Sequence, residues 1–476
     1  MERYETLTAG DIAEGVRNGS FSAREITKAA LAYVERTEPE LNAFIHVGPE
    51  LALAQADEVD ARRKRGDTAA PLLGVPVSIK DLFHVAGMPT SFGSPIYAGQ
   101  VAKEDSLHVA RLRAAGVVIL GKTTTPEFAH KSFTDGVLFG RTPNPWNPTY
   151  SSGGSSGGSA ASVAAGQTRL SLGSDGGGSI RIPVSTCGVF GMKGTIGVVP
   201  QVAPNLFGRN SYTGPITRTL EELRLMWDVL RGSDPDDPWS LAQPAPEPMP
   251  ELSKLRVGFA LTLGNSVVEA DVKTAFERAR DAFARMGAHV QDVHLDVSEF
   301  DRPLRVHWET QLTARIAPLL EKHRNQIEPA LVQKVERGMK HSALTYVEML
   351  HTRSAMFRAI QAVFEKVDIL VTPTLAAAGM PLDGDFADLA IDGVNVGHSR
   401  IGWHPYTWPF NLSGHPALSV PCGWTRNNIP VGLQLIGRWY DDDLLFELAA
   451  RLGQTLGVEK RSWTPKRNET KGKSPA

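Results

Sequence analysis

The chain has 476 residues, 42% of them hydrophobic, enough to bury a sizeable core. Its 50 basic and 52 acidic residues leave a formal charge of −2, so no global field favours nucleic acid or an anionic membrane. Two cysteines, Cys187 and Cys422, are too few for a cysteine-built metal site. Their scarcity, the lack of an apolar signal core at the N-terminus and the absence of a membrane-length apolar run set the expectation of a cytoplasmic protein.

Residues 9–65 read as helices, with Ser22 placed to cap Ala23-Arg24-Glu25 in a capping-box pattern. From Gly74 the pattern turns to strand (Val75–Ile79), helix (Ser106–Ala115) and strand (Val117–Leu120), which argues for a sheet flanked by helices. A short buried helix is expected at 161–166. The proline-rich stretch within 231–253 reads as a surface connector. Beyond it, Val272, Phe276, Ala279, Phe283 and Met286 recur at helical spacing and mark a core-facing stripe. Segments 367–371 and 431–436 read as buried strands, and the tail 466–476 as frayed. One domain is expected over 1–476: helices to 65, a glycine-rich core over 66–230, the connector, and the C-terminal half over 254–465.

Two glycine-framed serines dominate the core. Ser155 lies in Gly153-Gly154-Ser155-Ser156-Gly157-Gly158, and Ser179 follows 24 residues later in Gly173-Ser174-Asp175-Gly176-Gly177-Gly178-Ser179-Ile180-Arg181. Glycine at this density frees backbone N–H groups to meet a ligand oxygen. A flexible Gly/Ser linker would not resume apolar helical patterning at once, as Ala161-Ser162-Val163-Ala164-Ala165 does. None of the thirteen histidines falls in these blocks, so a Ser-His-Asp triad has no support. The G-x-S-x-G elbow is matched only imperfectly, and the phosphate-loop ending Gly-Lys-Ser/Thr is missing. Cys187 reads as a small core residue.

Together with Cys187-Gly188-Val189-Phe190-Gly191-Met192-Lys193 and Gly74-Val75-Pro76-Val77-Ser78-Ile79-Lys80-Asp81, these blocks resemble the amidase signature. Further matches run from Gly121-Lys122-Thr123 to Asn411-Leu412-Ser413-Gly414 and Pro430-Val431-Gly432, so the resemblance covers roughly residues 5 to 460. One position departs from it: Gly176 stands where the family usually has threonine, which would loosen the loop or enlarge the acyl pocket.

The resemblance implies an α/β fold with a mixed, largely parallel central sheet covered by helices on both faces. It also implies Ser179 as nucleophile, Ser155 in a cis peptide as proton relay, and Lys80 as base. A lysine base must be neutral, which costs about 4 kcal/mol at neutral pH; full burial offsets this by about 3–5 pKa units. Lys80 ends an apolar run that would carry it inward, and Asp81, adjacent on the strand, points the other way. The N–H groups of Gly176, Gly177, Gly178 and Ser179 are expected to form the oxyanion hole. Ser156, Ser174, Asp175 and Arg181 are expected to support the nucleophile. Ser132 and Phe133, with Trp403 and Tyr406 from an aromatic-rich segment, are the candidate substrate contacts.

The expected reaction is hydrolysis of an amide, extending to carbamates and esters, of bulky or aryl substrates. No cofactor or metal is expected, no nucleic acid or membrane partner, and oligomeric state is open, dimers being common in such families. Two alternatives stand beside this. The A subunit of a glutamine-dependent tRNA amidotransferase would need a carboxylate just before the Asn-Leu-x-Gly block, where this chain has His404. A catalytically inactive scaffold is at odds with three filled catalytic positions.

Overall fold

The computed structural model describes residues 4–202, 210–240, 244, 248–386, 388–459 and 461–465. In chain order its strands are β1 (Phe44–Val47), β2 (Pro76–Lys80), β3 (Val118–Thr123), β4 (Asp135–Gly136), β5 (Gly140–Arg141), β6 (Leu170–Asp175), β7 (Phe190–Lys193) and β8 (Tyr212–Thr217). The C-terminal half adds β9 (Arg256–Phe259), β10 (His289–Asp292), β11 (Ile369–Pro373), β12 (Leu389–Ile391), β13 (Val394–Gly397), β14 (Ala417–Trp424) and β15 (Pro430–Ile436). Eleven of them form one sheet in the order β1-β3-β2-β6-β8-β7-β14-β15-β11-β9-β10.

The sheet is mixed. Parallel pairing occupies two three-strand runs, β3-β2-β6 and β11-β9-β10. Antiparallel ladders join them through β8, β7, β14 and β15. Both halves of the chain thus contribute to one continuous sheet.

Helices cover both faces, as the alternation along β11 shows. Ile369 and Val371 pack with Val272, Phe276, Ala279 and Phe283 of the Ala270–Arg285 helix, while Leu370 between them packs with Met356, Ile360 and Phe364 of the Ala343–Phe364 helix. Met286 at the end of the first stripe is only partly buried. The glycine-rich stretch supplies two short helices, Gly157–Ala164 and Arg181–Cys187, whose Ala160, Val163, Ile180 and Val184 form a separate apolar cluster.

The all-helical expectation for 9–65 needs one correction. Three helices, Ala9–Asn18, Ala23–Leu41 and Pro49–Lys64, are interrupted by the edge strand β1, antiparallel to β3. Asn42 in the left-handed region ends the second helix and Gly48-Pro49 starts the third, leaving Phe44-Ile45-His46-Val47 free to pair. Ser22 and Glu25 form the expected capping box. The tail 466–476 and parts of the proline-rich connector lie outside the described residues. Among the described residues no helix is long and apolar enough to cross a membrane.

Candidate active site

Two neighbouring parallel strands deliver the site. Lys80 is the last residue of β2 and Asp175 the last of β6, with Ile79 in register with Leu172. Groups at the carboxyl ends of adjacent parallel strands converge on one edge of an α/β sheet, where ligands commonly bind. The Ser155 block reaches this edge too, because Ser156 N–H donates to the Ser179 carbonyl at 3.1 Å. The Gly154–Ser155 peptide is cis.

Lys80 is fully buried, and its Nζ meets Ser155 Oγ at 2.7 Å, Ser156 Oγ at 2.8 Å and Ser174 Oγ at 3.0 Å. Burial drives the Lys80 amine well below its ordinary pKa, against the opposing pull of the Asp175 carboxylate. A neutral amine has one lone pair to fill, so one of these hydroxyls must donate to it. Ser156 spends its proton on the Ser174 carbonyl at 3.2 Å. Ser155, the nearest oxygen, has no such competing acceptor among the described residues.

Asp175 and Arg181, both without exposed surface, form a salt bridge at 2.9 Å. Burial alone would raise the Asp175 carboxyl. The Arg181 guanidinium and hydrogen bonds from Arg181, Asn411 and Gly178 outweigh it and hold the carboxyl well below the usual carboxylate range. Arg181 also donates to the Thr407 carbonyl, Gln434 Oε1 and Asn411 Oδ1, so the loop carrying Ser179 is tied to the C-terminal half. These partners lie 226 to 253 residues away, and sequence spacing gave no sign of them.

Gly178 does not serve in the oxyanion hole as expected, because its N–H donates to Asp175 Oδ1 at 2.6 Å. At φ +121° it also occupies a conformation that favours glycine, and a Cβ there would collide with Thr407. Among the described residues the N–H groups of Gly176, Gly177 and Ser179 have no protein acceptor, which leaves them as the candidate donors. The Thr407 hydroxyl steadies this loop by donating to the Gly177 carbonyl at 2.8 Å.

A cavity of about 620 Å³ opens onto Ser179 and Gly177. Ser132 is among the residues that line it. The other three expected substrate contacts are not. Phe133, Trp403 and Tyr406 are buried together in the core behind it, with Phe133 and Trp403 rings 5.4 Å apart. Trp403 Nε1 donates to the Ala377 carbonyl, and the Tyr406 hydroxyl donates to the Leu261 carbonyl and accepts from Asn265. Aromatic density reads the same in a core and in a pocket, and here the core claimed it. The aromatic walls come instead from Trp308 and Phe386. Trp308 shares one face of the Asp301–His323 helix with Leu304, Arg305 and Glu309, an i, i+4 pattern that any amphipathic helix shows and that did not mark it as a cavity wall. His404 also lines the cavity, and burial pushes its imidazole down to about 3, leaving it neutral. Cys187 is buried, and burial raises its thiol to about 12. Among the described residues no three His, Cys, Asp or Glu side chains group to hold a metal.

A serine cluster on a buried lysine, beside an arginine-anchored glycine loop, is suited to nucleophilic attack on a carbonyl, and the relatives supply the family. A family model for Amidase matches residues 25–446. An acylamidase of Rhodococcus erythropolis is 35% identical over 93% of this chain and 94% of its own. The A subunit of the glutamyl-tRNA(Gln) amidotransferase of Chloroflexus aggregans is 34% identical over 94% of this chain and 96% of its own. Among solved structures, a bacterial aryl acylamidase of the amidase signature family superposes with a TM-score of 0.87 at 29% identity, covering 94% of this chain and 96% of that one. A substrate-bound 6-aminohexanoate cyclic dimer hydrolase does so at 0.86 and 28%, covering 97% and 99%. The chain belongs to the amidase signature family and is an enzyme that hydrolyses amide bonds.

Proposed function

We propose that the protein hydrolyses aryl or otherwise bulky apolar amides, and the corresponding carbamates, through an acyl-enzyme on Ser179. Ser179 Oγ attacks the carbonyl carbon, its proton passing to Ser155 Oγ as the Ser155 proton moves to the neutral Lys80 Nζ. The C=O π pair moves onto oxygen, where the N–H groups of Gly176, Gly177 and Ser179 receive the charge; each such donor contributes about 2.7–4 kcal/mol in comparable sites. Collapse expels the amine, which takes the proton back along the same relay. Water then repeats the cycle on the ester and releases the acid, or, from a carbamate, carbon dioxide with the second product. Asp175 and Arg181 hold the loop in place without touching the substrate.

The observation that carries the substrate class is the cavity beside Ser179, walled by Trp308, Phe386, Leu304 and Ile182. Flat aromatic groups gain offset-stacking contact against such walls. The likeness to acylamidases supports the same reading. A glutamine-dependent role has sequence similarity behind it, but His404, neutral where the resemblance calls for a carboxylate, offers a free α-ammonium group no counter-charge at that position. The test compares kcat/KM for a nitroanilide, an aryl carbamate and glutamine under one condition. The anilide or carbamate is expected to lead; glutamine as the best of the three overturns the reading.

A further inference from the structure

The cavity wall carries charge that the chemistry at Ser179 does not use. Lys131, Arg305, Lys334, Arg337 and Arg400 face it, against two carboxylates, Glu309 and Asp385. Glu309 is committed to Arg337 at 2.6 Å and His341 at 2.8 Å. The carboxylates that balance the others stand behind the wall. Lys131 is paired with Asp135 and Glu328, and Arg400 with Asp301, none of which lines the cavity. Arg305 and Lys334 have no carboxylate within ion-pair distance among the described residues. Lys334 Nζ rests on the His130 carbonyl at 2.7 Å and 5.1 Å from the Phe386 ring centroid, so it sits at the aromatic wall itself.

Geometry places the two on adjacent walls. Arg305 lies on the face of the Asp301–His323 helix that carries Leu304 and Trp308, and Lys334 on the face of the Pro329–Gly338 helix that carries Ala330 and Arg337. A cavity walled by Trp308 and Phe386, in which two of the five cations, Arg305 and Lys334, have no carboxylate partner among the described residues, fits a ligand that is flat where it meets the aromatic rings and anionic beyond them. We propose that the preferred substrate is an amide bearing a carboxylate or comparable anion on its bulky portion, received by Arg305 and Lys334. This rests on the amide-hydrolase reading of the same cavity.

The surroundings of Lys334 bear on its charge. Burial lowers it to about 7, Glu328 opposing and Arg400, Lys131 and Arg337 adding to the shift, with the His130 imidazole hydrogen-bonded beside it. An anion at Nζ favours the protonated form and draws a proton on as it binds.

The experiment measures binding, so that turnover does not confound it. In the Ser179→Ala full chain, calorimetry compares 4-acetamidobenzoate with 4-nitroacetanilide, whose nitro group matches the carboxylate in shape but carries no net charge. The carboxylate is expected to bind about tenfold tighter or better, the range of a charge-assisted hydrogen bond. Adding Arg305→Gln, at an exposed position, should remove most of that preference, and Lys334→Met should do the same. Equal or tighter binding of the nitro compound, or a preference that survives both substitutions, overturns the proposal. If the preference holds while the wild-type chain hydrolyses no amide, the hydrolase reading falls and the anion subsite stands.

Discussion

At the scale of single residues the proposed chemistry turns on one lysine whose amine burial drives well below its ordinary pKa. Among the described residues Lys80 hydrogen-bonds only to serine oxygens, and the one anion bearing on it, Asp175, is committed to Arg181. Because the working base is the free amine, kcat/KM for a neutral amide should rise as pH passes upward through the depressed Lys80 pKa and then level off. A pH–rate profile that falls between about pH 7 and 9 would contradict this. Lys80→Ala, Ser155→Ala and Ser179→Ala should each cost about 10⁴-fold or more in kcat without adding when combined, since the three act as a unit. Steady-state kinetics on folded variants checks it; more than a tenth of activity left in Ser179→Ala would break the assignment. Glycine runs bracketing both serines and an apolar strand leading into the lysine drew attention to these positions, while their roles came from the resemblance to the amidase signature. Asn411 stood in a matched block, but its partnership with Asp175 and that of Thr407 with Gly177 were not legible, since only the fold brings them beside residues 175–178.

At the scale of elements, the loop from Asp175 to Arg181 is held from the far half of the chain. Asp175→Asn would leave the buried Arg181 guanidinium without its counter-charge, a change that costs about 3–5 kcal/mol in comparable pairs. Denaturant unfolding should report that loss, and a variant as stable as the parent would show the pair to be dispensable. The two aromatic sets separate by the same kind of measurement. Trp403→Ala should lower stability by about 3–5 kcal/mol, because it empties a core position. Trp308→Ala should leave the melting temperature near that of the parent and raise KM for an anilide instead. Equal effects of the two on stability would mean that Trp308 is core as well. The sequence pointed to the wrong pair because proline and aromatic clustering near residue 405 looks like a pocket rim. The helical stripe Leu304-Arg305-Trp308 looks like any amphipathic surface. The edge strand β1 was missed for a related reason, being four residues long between two long helices.

At the scale of the whole molecule, one eleven-stranded sheet lets the two halves meet across a single site. The first half supplies Lys80, Ser155 and Ser179. The second supplies the Asn411 and Gln434 anchors and most of the cavity wall. The alternation of strands and helices announced an α/β architecture. The antiparallel joining of its two parallel runs depends on pairings between β7, β8, β14 and β15, for which single segments give no signal. The central claim is that Ser179, not Ser155, carries the acyl group. Its most direct test is intact-protein mass spectrometry during turnover of an activated aryl carbamate, whose carbamoyl-enzyme is slow to hydrolyse, followed by peptide mapping. The expected result is one adduct per chain, on the peptide bearing Ser179 and absent from Ser179→Ala. An adduct on Ser155, or one that persists in Ser179→Ala, would contradict the account.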